Sequence, residues 1–96
     1  MPQSTRIMKN YYVYIVECRD NTFYTGWTVN IEKRLECHNQ GRGSKYTRSR
    51  LPVQLRYLER VASKREACQK EYRIKRLSKT EKEKLIREKG LAREEF

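Results

Sequence analysis

Five side chains in this sequence are of the types that attack or stabilise a phosphodiester when gathered at one point. Tyr14 closes the run Tyr12-Val13-Tyr14, and Tyr24 opens Tyr24-Thr25-Gly26 about ten residues later. Both runs are rich in residues that favour strands. Arg34 and His38 follow on what reads as the next helix, four residues apart and so neighbours on its surface. A phenol, a guanidinium and an imidazole at one point suit attack on a phosphodiester better than they suit core packing. Glu71, on a later helix, could complete the set by holding a metal. Each residue also has a plain structural reading. The tyrosines would be packed strand aromatics and Arg34 a solvated helix cation. His38 would be a hydrogen-bonded histidine beside an apolar face, and Glu71 half of a salt bridge.

The elements that must position these groups follow from the pattern. Tyr11 to Cys18 is apolar on both faces, as expected of a central strand. Arg19 to Thr22 supplies turn chemistry, and Phe23 to Trp27 returns as a second strand, making a hairpin. Asn30 can cap a helix from Ile31 to about Gln40, with Gly41 closing it in a left-handed conformation. A glycine-punctuated loop runs from Gly41 to Arg50, and Val53, Leu55 and Tyr57 then alternate with Gln54, Arg56 and Leu58 in a third strand. Ser63 to Glu66 reads as a capping box opening a helix to about Leu77. Thr80 to Glu83 reads as a second box, starting a helix that stops at Gly90. The order β-β-α-β-α-α describes one α+β domain over residues 10–90, with a three-stranded, mainly antiparallel sheet flanked by helices. Residues 1–9 read as a flexible lead-in and residues 91–96 as a frayed end.

Composition narrows the partner. The chain has 96 residues and a net charge of +11, from 23 Lys and Arg against 12 Asp and Glu. Such a charge favours a polyanion, because binding releases condensed counterions. Between Glu36 and Glu59 the cations Arg42, Lys45, Arg48, Arg50 and Arg56 occur with no acid among them. The Gly, Ser, Thr and Tyr content there suggests a flexible loop that tracks phosphates, with Trp27 and Tyr46 as platforms for unpaired bases. Trp27 has core packing as its alternative. No apolar run is long enough to span a bilayer, and no signal-peptide pattern is present, which predicts a cytoplasmic protein. Three scattered cysteines, Cys18, Cys37 and Cys68, fit a reducing compartment and no disulfide framework.

These motifs resemble the GIY-YIG nucleases. Tyr12-Val13-Tyr14 stands where that family has Gly-Ile-Tyr, and Tyr24-Thr25-Gly26 where it has Tyr-Ile-Gly. Arg34 follows Tyr24 by ten residues, as the family's arginine does, and Glu71 matches its metal-binding acid. The stretch from Tyr24 to Tyr46 is most similar to small stand-alone bacterial members and to the nuclease domains of Slx-type resolvases. The resemblance covers about residues 11 to 89. The sequence departs from the pattern at Tyr12 and Thr25, and it has no asparagine from Thr80 to Gly90, where several members carry one.

The resemblance implies a metal-dependent endonuclease acting on DNA, on branched or damaged substrates among others. Tyr14 or Tyr24 would orient or deprotonate the attacking water, aided by His38. Arg34 would clamp the phosphoryl oxygens with its planar fork. Glu71 would hold Mg²⁺ or Mn²⁺ with waters and substrate phosphate. The other reading is a noncatalytic nucleic-acid-binding module that keeps the fold. DNA ranks ahead of RNA as the partner, and the chain is expected to be a monomer.

Overall fold

The computed structural model describes residues 10–90, so the expectations for residues 1–9 and 91–96 lie outside the described residues. Strand β1 (Tyr11–Glu17) runs down the middle of a three-stranded antiparallel sheet in the order β2-β1-β3, with β2 at Phe23–Thr28 and β3 at Gln54–Val61. Its central place explains why it is apolar on both faces. Val13 and Ile15 point one way with Tyr57, and Tyr14 and Val16 point the other way with Val53. Helix α1 (Ile31–Asn39) covers the Tyr14 face through Ile31 and Leu35. Helices α3 (Lys64–Lys75) and α4 (Lys79–Lys89) cover the opposite face through Ala67, Ile74, Leu85 and Ile86.

Helix α1 begins and ends as its sequence predicts. The Asn30 side chain accepts a hydrogen bond from the Lys33 N–H at 3.0 Å. At the other end Gly41 takes φ +82°. The Gly41 and Arg42 N–H groups then bond back to the His38 and Cys37 carbonyls, both at 2.9 Å, which closes a Schellman cap.

Three details differ from the sequence reading. Between α1 and β3 the basic loop contains a one-turn helix, α2 (Lys45–Arg48), capped by Ser44, whose hydroxyl accepts from the Thr47 N–H at 3.0 Å. In β3 the expected single-face alternation of Val53, Leu55 and Tyr57 fails. A bulge places both Leu55 and Arg56 opposite the step from Val16 to Ile15, so Leu55 packs on the α1 face and Tyr57 on the α3 face. The extra residue, Arg56, swings out to an ion pair with Glu17 at 3.4 Å. Helix α4 is capped by Ser78 instead of Thr80. Ser78 lies three residues before Glu81, and the Glu81 carboxylate accepts from the Ser78 N–H at 2.8 Å, completing the box two residues earlier.

Candidate active site

Tyr14 lies on β1 facing α1, directly paired across the ladder with Gly26 of β2. A Cβ at Gly26 would stand 2.6 Å from the Tyr14 hydroxyl oxygen, so the missing side chain is what makes room for the phenol. From α1, one helical turn apart, Arg34 and His38 reach the same oxygen. His38 Nε2 lies 2.9 Å from it, and Arg34 Nε donates to it at 3.3 Å. Arg34 Nη2 also donates to the Gly43 carbonyl at 2.8 Å. Gly43 lies against the imidazole so closely that any Cβ there would overlap the ring. The three residues expected to converge do converge.

Their burial separates their roles. His38 is completely buried and Tyr14 is 1% exposed, while Arg34 and Tyr24 are half-buried. Burial and the nearby Arg34 charge push the His38 pKa down to about 4, so the imidazole is neutral at physiological pH. Burial raises the Tyr14 phenol above its ordinary value, with Arg34 pulling against that rise. The bond to Tyr14 in turn raises the Arg34 pKa. The imidazole is engaged on both nitrogens, by the Tyr14 hydroxyl at Nε2 and the Thr47 hydroxyl at Nδ1, and it is closed off from solvent. Tyr24 packs edge-on to His38 with ring centroids 5.3 Å apart.

Glu71 approaches from α3, half-buried, with Lys75 at 3.6 Å, and its negative charge adds to the upward push on the Tyr14 pKa. No group of three or more potential ligands surrounds it among the described residues. A single half-buried carboxylate beside open solvent fits a hard divalent ion that keeps most of its waters. It does not resemble an all-protein cage. A cavity of about 450 Å³ lies away from this chemistry, between β3, α3 and α4.

Of the residues assigned to nucleic acid, three already have partners within the domain. Trp27 faces α3, packed against Tyr11 at 6.1 Å and under the Lys64 ammonium, so it belongs to the core of the opposite face. Arg50 is tied to Asp20 at 3.0 Å and to the Tyr46 carbonyl at 2.7 Å, and its guanidinium lies 3.9 Å over the Tyr46 ring. It therefore shapes the loop. Tyr46, expected as an open platform, already stacks on Tyr24 at 6.3 Å as well as carrying Arg50. Arg42 bonds the Gln40 side chain. Lys45 and Arg48 are exposed and have no ion-pair partner among the described residues.

Sequence reasoning did not single out Ser44 or Thr47. Thr47 is completely buried and bonds His38 Nδ1 at 2.9 Å. The one signal available was the Ser44-x-x-Thr47 spacing, which suits a helix cap. It does not announce that the threonine hydroxyl reaches an imidazole.

A family model described as the GIY-YIG catalytic domain matches residues 10–84. The chain is 55% identical over 80 residues to a UPF0213 protein of Bacillus licheniformis, covering 83% of this chain and 82% of that one. It is 51% identical over 85 residues to a UPF0213 protein of Clostridium perfringens, covering 88% and 91%. Among solved structures, the solution NMR structure of a UPF0213 protein from Bacillus halodurans is similar with a TM-score of 0.56 and 46% identity. That match covers 84% of this chain and 86% of the other.

Proposed function

This chain belongs to the GIY-YIG catalytic-domain family, and from that premise we propose that it is a divalent-metal-dependent endonuclease hydrolysing phosphodiester bonds in DNA. The observation that carries the reading is the way Arg34 is held. Its Nε and Nη2 are committed to Tyr14 and Gly43. Nη1 is left to meet phosphoryl oxygens as negative charge develops on them.

Tyr24 is the phenol that addresses the attacking water, because it is half-buried whereas Tyr14 is enclosed. Its contribution is to orient the water by hydrogen bonding through its hydroxyl, which can both donate and accept. Tyr14 and His38 stand behind Arg34 and fix its direction. Glu71 would hold Mg²⁺ or Mn²⁺, and such an ion when bound supplies charge stabilisation at the scissile phosphate. Lys45 and Arg48, on the loop that contributes Gly43 to the Arg34 contact, would engage phosphates flanking the cut.

The test is cleavage of single-stranded, duplex, flapped and branched DNA, and of RNA, with Mg²⁺ or Mn²⁺ at fixed salt. Metal-dependent cutting that disappears in Glu71→Ala and in Arg34→Ala, both folded, is the expected result. Tight binding with no cutting, unchanged in both variants, would make the domain a nucleic-acid-binding module instead.

A further inference from the structure

With Tyr14, His38 and Arg34 in use, two buried polar side chains, Thr25 and Thr47, are left without a role. Thr47 is fully enclosed, yet its hydroxyl has three oxygen or nitrogen neighbours: His38 Nδ1 at 2.9 Å, Ser44 Oγ at 3.0 Å and the Ser44 carbonyl at 3.5 Å. We propose that Thr47 is a positioning residue, whose hydroxyl holds His38 as the Nδ1–H tautomer and thereby decides where Arg34 points. The proposal deepens the nuclease reading and rests on it.

The Arg34 Nε–H has only a proton to give, so the Tyr14 oxygen must accept it. The Tyr14 hydroxyl proton then needs an acceptor, and His38 Nε2 at 2.9 Å provides it only if that nitrogen carries no hydrogen. The ring proton therefore sits on Nδ1 and is donated to Thr47 Oγ1. Thr47 passes its own proton to a Ser44 oxygen, and every member is satisfied. In the other tautomer two N–H groups would aim at the Tyr14 oxygen. Its own proton would have no partner in a pocket that leaves the residue 1% exposed. Removing the Thr47 oxygen leaves the buried Nδ1–H with no acceptor, which penalises the one tautomer that serves Tyr14. The phenol then turns, and Arg34 loses the bond that orients it. Thr47 also lies on α2 between Lys45 and Arg48, so the phosphate-facing turn and the guanidinium share one hydrogen-bonded chain.

His38 is the sole histidine of the chain, so its ring ¹⁵N resonances are identified without assignment. The experiment records them in the wild type, Thr47→Val, Thr47→Ala and Thr47→Ser, and measures kcat and KM on a cleaved substrate. The expected wild-type pattern is a protonated Nδ1 and a bare Nε2, kept in Thr47→Ser and averaged or inverted in Thr47→Val and Thr47→Ala. Those two variants should lose about 10- to 100-fold in kcat with KM little changed, and Thr47→Ser should recover most of it. A wild-type Nε2–H would overturn the proposal. So would a Thr47→Val or Thr47→Ala protein that keeps both tautomer and kcat, or a folded Thr47→Ser as impaired as they are. A chain that cuts nothing yet shows the expected ring pattern, lost without the hydroxyl, would sink the nuclease reading and leave the tautomer assignment standing. Cutting with the wrong tautomer would sink this inference alone.

Discussion

Acid should loosen this fold well before its carboxylates titrate, and His38 sets the window. A histidine free in the unfolded chain has a pKa near 6.5, while burial and Arg34 hold the folded-state value at about 4. The unfolded state therefore takes up the proton first. The stability contributed by the neutral, enclosed imidazole is fully present above pH 6.5 and is lost as the pH falls towards 4. Linkage across those two values gives a loss of about 2 kcal/mol at pH 5 and about 3 kcal/mol at pH 4. For a domain of this size that is a large part of the total. The assay is urea unfolding between pH 7.5 and 5, compared with His38→Gln. The variant will be less stable at pH 7.5, but its stability should be nearly flat across the same range. A parallel NMR titration of the single histidine should show no protonation at pH 5.5. Wild-type stability independent of pH down to 5, or a His38 midpoint near 6.5, would refute the enclosed network and every role built on it.

Two further outcomes follow from contacts at the site. Gly26→Ala should destabilise the domain by about 1–3 kcal/mol, since its Cβ would fall 2.6 Å from the Tyr14 hydroxyl and 2.8 Å from Cζ. Denaturant unfolding reads the stability, and a variant with unchanged stability and unshifted Tyr14 resonances would contradict the close approach. Lys45→Ala and Arg48→Ala should each weaken DNA binding and flatten the log–log salt dependence by about one unit. Arg50→Ala, in contrast, should lower stability and leave that slope unchanged, and a slope lowered by Arg50→Ala as well would return Arg50 to the phosphate-contacting set.

The sequence was most legible where local chemistry and tertiary packing ask for the same residue. Asn30 and Gly41 bracket α1 because a capping amide and a left-handed glycine serve that helix in any surroundings. The apolar run of β1 announced a central strand because both its faces are covered. Convergence of Tyr14, Arg34 and His38 could be foreseen because a strand and the turn of a neighbouring helix fix their spacing. The failures arise where geometry outside the local window decides. A bulge at Arg56 reverses the strand face, and no residue in Gln-Leu-Arg-Tyr marks it. Trp27 is inward because β2 pairs it with Val13, which faces α3; an aromatic beside a basic surface looks the same in sequence whichever face it takes. Arg50 looks like its neighbours Arg42 and Arg48 until Asp20, thirty residues away in sequence, is seen to hold it.

Burial is what turns the basic loop from a collection of charges into part of the site. Lys45 and Arg48 could contact phosphate from many loop conformations, and nothing in their chemistry demands one. Thr47, between them, can be enclosed only if α2 forms and docks against His38. Gly43 must be bare for that imidazole to fit, and its carbonyl then takes Arg34 Nη2. The loop therefore reaches the guanidinium by two routes, one through the Gly43 carbonyl and one through Thr47, His38 and Tyr14. A displacement of α2 would disturb both at once, so the alignment of Arg34 is tied to the seating of that one-turn helix.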